Sequence, residues 1–142
     1  MELFDKAMNF VSLIEGGYVN DPIDKGGETK YGISKRSYPN LDIKNLTKEQ
    51  AREIYYKDFW LKNKCDTMHP VFSVLVFDTA VNMGSGVINE FLKSSDYINP
   101  ERFLLARIKK YIKYCLADPT QQRFFFGWIV RCMKLYDFIK TL

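Results

Sequence analysis

EGGYVNDPIDKGGETKYGIS, residues 15–34, is the stretch on which the reading of the fold turns. It holds five of the eight glycines in the chain, and Asn20, Asp21 and Pro22 add further turn chemistry. Short runs around Tyr18-Val19 and Tyr31-Gly32-Ile33 predict a small β-hairpin. The residues just before it follow another rhythm. Leu3, Ala7, Phe10 and Ile14 recur at helical spacing with Phe4, Met8 and Val11 beside them, which predicts an amphipathic helix stopped by Gly16-Gly17. Glu15 therefore falls on the last helical turn, where the negative end of the helix dipole disfavours an anion. A carboxyl set against that field, followed at once by a ribbon rich in glycine and carboxylates, marks this junction as a candidate site.

From Thr47 onward the chain reads as almost all helix. Thr47 with Gln50 has the form of a capping box opening a helix to about Phe59. Pro70 suits a first helical position, and residues 71–83 (VFSVLVFDTAVNM) are apolar nearly all round, as in a helix buried on most sides. Gly84 and Gly86 end it. Asn99-Pro100 opens a helix to about Leu116, and Asp118-Pro119 with Gln121 opens another, with a final segment through Ile139. The expected fold is α+β but mostly helical, as one domain over residues 1–142: a lobe of helix and hairpin at 1–66 and a helical lobe at 67–142. Asp78 and Asn82 share a face of the apolar helix, so each needs a partner. They are either a satisfied core pair, or Asn82 lines a cleft and Asp78 orients its neighbours.

Composition narrows the class. The chain has 142 residues, 46% hydrophobic and 15% aromatic, with a net charge of +4; this suits one soluble domain with a sizeable core. No apolar run is long enough for a membrane span, and residues 1–14 carry Glu2 and Asp5 and have no apolar block of leader length. Export would then need assistance, for example through a holin. Three widely spaced cysteines, Cys65, Cys115 and Cys132, predict buried free thiols. A single histidine, His69, excludes a multi-histidine metal site, and neither a calcium loop nor a phosphate loop can be drawn, so no metal and no cofactor are expected. The basic charge permits nucleic acid, but no reading motif accompanies it.

The junction has the parts of glycoside hydrolysis. That chemistry needs one carboxyl to protonate the leaving oxygen, and a second to stabilise developing positive charge or to activate water. Glu15 is placed for the first role. Asp24 and Asp21 compete for the second, and Asp21 before Pro22 also suits an Asx-turn.

Residues 15–34 resemble the signature of glycoside hydrolase family 108, bacterial and phage muramidases similar in fold to the lysozymes. The resemblance implies a lysozyme-like fold and a catalytic acid at the glutamate of Glu-Gly-Gly, which is Glu15. The order of the residues is also similar to that in phage-type lysozymes, where Glu, Asp and Thr follow one another along a helix end and hairpin. This likeness implies roles for Glu15, Asp24 and Thr29, separated here by nine and fourteen positions from Glu15. Tyr18, Asp21, Tyr31 and Asn82 are the candidate substrate contacts. FDTAVNMGSG (77–86), LLARIKKY (104–111) and RFFFGWIVR (123–131) resemble the helical region that accompanies the family. The segment between Gly86 and Pro100 is shorter than in many relatives, so the second half is read as a second lobe rather than a separate wall-binding module.

Taken together, the expectation is a monomeric N-acetylmuramidase (lysozyme), of phage-endolysin or bacterial origin. It would be made in the cytoplasm without a leader, act on peptidoglycan glycan strands in the periplasm or at the cell wall, and neither insert stably in a membrane nor bind nucleic acid. The alternatives are a lytic transglycosylase and a non-catalytic wall-binding or secretion-associated protein.

Overall fold

The computed structural model describes residues 2–20 and 27–142. It divides into two compact units, Met1–Lys62 and Asn63–Leu142.

The first unit begins with helix α1, Glu2–Ile14, whose buried face is Phe4, Ala7, Met8 and Val11. Three short strands follow, β1 Val19–Asn20, β2 Glu28–Lys30 and β3 Ile33–Ser34, in an antiparallel sheet of order β1-β2-β3. The sequence predicted one hairpin with Tyr31 and Gly32 in a strand. Instead these two residues form the turn between β2 and β3, with φ of 53° and 80°. Positive φ at both positions is the mark of the two-residue hairpin turn whose twist matches its strands. It also explains why the strand breaks there.

Helix α2, Lys48–Ile54, opens on the predicted capping box, with the Thr47 side chain and Gln50 bonded reciprocally. Its α-helical part stops at Ile54 and the run continues as a π-helical segment, Tyr55–Leu61, so the helical stretch ends close to the expected Phe59 but changes type on the way. The wider turn lets Tyr55 and Trp60 both go inside, where they are 1% and 4% exposed. Phe4 of α1 meets the rings of Tyr56 and Trp60 edge-on at 5.0 and 5.4 Å, which docks α1 against this segment.

The second unit is helical. Helix α3, Pro70–Met83, is buried at every position from Phe72 to Ala80. Its N-cap is His69, whose ring Nδ1 accepts the Val71 N–H. Around it lie α4 Ile88–Ser94, α5 Pro100–Ala117 and α6 Gln122–Ile139. Asn99 caps α5, and Asp118 caps the short turn leading to α6. Phe103 sits between Phe72 and Phe91, with ring centroids at 6.2 and 5.5 Å. All three cysteines are buried free thiols, as expected. Burial pushes the Cys65 thiol up to about 12, so it stays protonated and inert.

At the centre of this unit is a buried ion cluster. Asp78 of α3 meets Arg107 of α5 at 2.8 Å and Arg131 of α6 at 2.9 Å. Arg107 also donates to Thr79 and to the Tyr111 hydroxyl, and that hydroxyl donates to Asn82. Burial opposes the charge on Asp78, but the two guanidiniums outweigh it and hold the carboxyl below its usual range. Of the two readings left open for Asp78, the satisfied core group is the one seen. Tyr111 in turn stacks on Trp128 at 4.6 Å.

Candidate active site

The Glu15 N–H donates to the Val11 carbonyl at 2.8 Å, the last rung of the α1 ladder. The bond fixes the Glu15 backbone one residue past the helix, and Gly16-Gly17 then release the chain. Glu15 is half-buried, and its side chain lies against the β2–β3 turn. A Cβ built on Gly32 would stand 3.1 Å from both the Glu15 Cγ and one carboxyl oxygen, and closer to the Tyr55 hydroxyl than real Cβ atoms approach. Gly32 is thus required twice, by its φ and by the close approach of the acid. The Tyr55 hydroxyl locks the turn from behind by donating to the Tyr31 carbonyl at 2.6 Å. That bond holds Tyr31 in a left-handed conformation which a bulky side chain resists.

Gly32→Ala should therefore destabilise the protein by about 1–3 kcal/mol and displace Glu15. The check is a urea melt alongside an activity assay. Wild-type values for both would contradict this packing.

Glu15 opens into a cleft of about 470 Å³ within the first unit. Asn9, Ser12, Gly16, Tyr31, Lys48 and Arg52 contribute to its walls. Arg52 is tied to Asp5 by an ion pair and lies 4.9 Å over the Phe4 ring. A second cavity of about 440 Å³ also carries acids, namely Asp42, Glu53 and Asp58. Those acids are occupied. Asn45 donates to Asp42, Lys57 pairs with Glu53 at 2.7 Å, and the Tyr38 hydroxyl donates to Asp58 at 2.7 Å. The amide of Asn45 and the ammonium of Lys57 lower the pKa of Asp42 and of Glu53 respectively, the wrong direction for a proton donor. The Glu15 cleft is preferred for its own geometry, a carboxyl at the end of α1 set against the Gly32 turn and open to the cleft.

The other residues singled out from the sequence are distributed as follows. Tyr31 shares the cleft with Glu15, whereas Tyr18 and Thr29 are not among the described residues lining it. Tyr18 donates to Glu28 at 2.6 Å, and that carboxylate raises the pKa of the phenol. Thr29 pairs with Val19 across the sheet, its hydroxyl 3.5 Å from the Val19 carbonyl. Asn82 belongs to the second unit and is held by Tyr111. Asp21 and Asp24 lie outside the described residues. Gly32 and Tyr55, which set the position of the acid, carry little signal in the sequence. The one signal for them was the pair Tyr31-Gly32, read there as strand. Among the described residues no group of acidic, cysteine or histidine side chains is arranged to hold a metal ion.

The family model described as glycosyl hydrolase 108 matches residues 8–84, more than half of the chain. That span runs from the middle of α1 to the end of α3 and includes all of residues 15–34. Among solved structures, one described as SagA of Brucella abortus superposes with a TM-score of 0.79 at 23% identity. The match covers 97% of this chain and 94% of that one, and it shows the fold. No curated protein sequence matches the chain.

Proposed function

The chain belongs to the glycosyl hydrolase 108 family, and from that premise we propose that it is a peptidoglycan hydrolase. The bond cut is the β-1,4 link between N-acetylmuramic acid and N-acetylglucosamine. The observation that carries the reading is the setting of Glu15, a carboxyl at a helix end, wedged against a glycine turn and open to a cleft of substrate size.

In this reading Glu15 gives its proton to the glycosidic oxygen as the C–O bond breaks. The leaving sugar departs as an alcohol, and positive charge develops on the muramic acid ring. A carboxylate from the ribbon, Asp24 or its rival Asp21, stabilises that charge or takes a proton from the attacking water. Thr29 helps to hold the water, and Tyr18 and Tyr31 serve as sugar contacts. Retention follows if the two carboxyls stand about 5 Å apart, and inversion if they stand about 6.5–9.5 Å apart. The proposed setting is the bacterial wall, reached from the cytoplasm with holin assistance by a monomer. No helix among the described residues is long and apolar enough to cross a membrane.

Mass analysis of products from digested, purified sacculi tests the reaction. New reducing N-acetylmuramic acid ends are expected. A 1,6-anhydro end would replace hydrolysis by transglycosylation, and intact sacculi would overturn the proposal.

A further inference from the structure

Helices α5 and α6 present an apolar face to solvent. On α5, Leu105, Ile108, Ile112 and Leu116 recur at three- and four-residue steps; Leu105, Ile112 and Leu116 are 54%, 43% and 76% exposed. On α6, Phe126, Met133 and Tyr136 are 80%, 63% and 36% exposed and share one side of the helix. The two stripes lie side by side. One groove of about 400 Å³ has Leu105 and Ile108 facing Met133 and Tyr136. Another, of about 360 Å³, has Ile112 and Leu116 facing Phe125. An apolar surface this continuous is rare on a solitary soluble protein and marks a surface that meets something.

Charge says what it meets. Residues 100–142 carry nine Lys and Arg against three Asp and Glu, whereas residues 1–99 carry twelve against fourteen; Arg107 and Arg131 are buried on Asp78 in the core, which leaves seven of the nine cations toward the surface. Part of that surface excess lies beside the stripe. Arg102, Lys109 and Lys113 form a row along the flank of the α5 stripe at helical spacing, and Lys109 and Lys113 are exposed. Neither lysine has an ion-pair partner among the described residues, and the same is true of Lys134 on α6. Lys140 at the end of α6 pairs with Glu101 at 3.0 Å, which neutralises one of the two acids lining the groove and leaves Asp137 as the other. A second copy docked face to face by a two-fold axis would bring the same lysine rows toward each other, which like charges resist. A polyanion without lipid would satisfy the lysines but leave the apolar stripe in water.

We propose that the α5–α6 face binds the surface of an anionic lipid bilayer. Leu105, Ile112, Leu116, Phe126 and Met133 enter the interface, and Lys109, Lys113 and Lys134 lie among the head groups. Binding of this kind holds the enzyme at the membrane face without a spanning segment.

Flotation of the full chain with vesicles tests this directly. The chain should rise with vesicles containing about one-third phosphatidylglycerol and stay down with pure phosphatidylcholine, and raised salt should weaken the binding. The double variant Leu116→Ser, Phe126→Ser should lower partitioning at least about tenfold, with its melting profile and its sacculus hydrolysis unchanged. Lys109→Glu with Lys113→Glu should do the same. No flotation with either vesicle would overturn the proposal. So would full flotation by the Leu116, Phe126 variant, which would leave only general attraction to polyanions. A wild-type mass in sedimentation twice that of the Leu116, Phe126 variant would assign the face to a second copy instead.

Discussion

Glu15→Gln is expected to lower the release of reducing ends from purified sacculi by about 10²–10⁴-fold, the range in which a positioned general acid contributes. The substitution keeps the shape of the side chain and removes the proton it would donate. Its neighbours, the Gly32 turn and the Tyr55 hydroxyl, meet a group of the same size, so the urea midpoint should not fall. Loss of activity with the fold intact assigns the proton to Glu15. Retained activity would move the acid elsewhere, and loss of both would show only that Glu15 supports the turn.

The largest stability effect is expected at Asp78. It is 1% exposed and is the counter-ion for two guanidiniums, of which Arg107 is completely buried. Arg107 already has one side-chain nitrogen, Nη2, with no hydrogen-bond partner among the described residues, so the cluster has no spare acceptor to offer. Asp78→Asn leaves two buried cations uncompensated and should cost about 3–5 kcal/mol. For a chain of this size that is a fall in melting temperature of roughly 10–20 °C. The pH dependence follows from the same pairing. The folded pKa of Asp78 lies below its unfolded value, so the stabilisation is fully present above the ordinary carboxylate range and is lost as pH falls through the folded value. Wild-type urea midpoints should therefore drop in strong acid, and the Asp78→Asn variant should lack that component of the drop. A variant as stable as wild type at neutral pH would contradict this account of the core.

The elements that sequence made legible are those with local physical signals. Helix α1 announces itself by apolar spacing and by Gly16-Gly17, α2 by Thr47 and Gln50, α3 by Pro70, and α5 by Asn99-Pro100. Helix α4 was not foreseen, because seven residues, INEFLKS, carry little periodicity and Val87 provides no side-chain cap. The π-helical segment is invisible for another reason. Its residues would suit an ordinary helix, and the extra residue per turn is decided by which of Tyr55, Phe59 and Trp60 must be buried. Asp78 posed a question that only distant residues answer, since Arg107 and Arg131 lie 29 and 53 positions further along the chain. Long arginines in a core run against composition rules and give no sequence signal beyond the lone aspartate.

The site was legible in the same uneven way. Glu15 stood out because it opposes the helix dipole and precedes a glycine ribbon, and the structure opens it into a cleft. Tyr31 is a candidate contact through its side chain, yet its carbonyl and its φ are what shape the turn. Tyr55 is 24 residues away from Tyr31 and reads as one aromatic among many. Asp21 and Asp24 remain candidates by order and spacing alone.

The most direct measurement is a crystal structure of the Glu15→Gln variant with a peptidoglycan tetrasaccharide bound. The account predicts the side chain at position 15 within about 3 Å of the scissile glycosidic oxygen, with a ribbon carboxylate across the sugar ring from it. A tetrasaccharide bound with its glycosidic oxygens beyond reach of that side chain would contradict it.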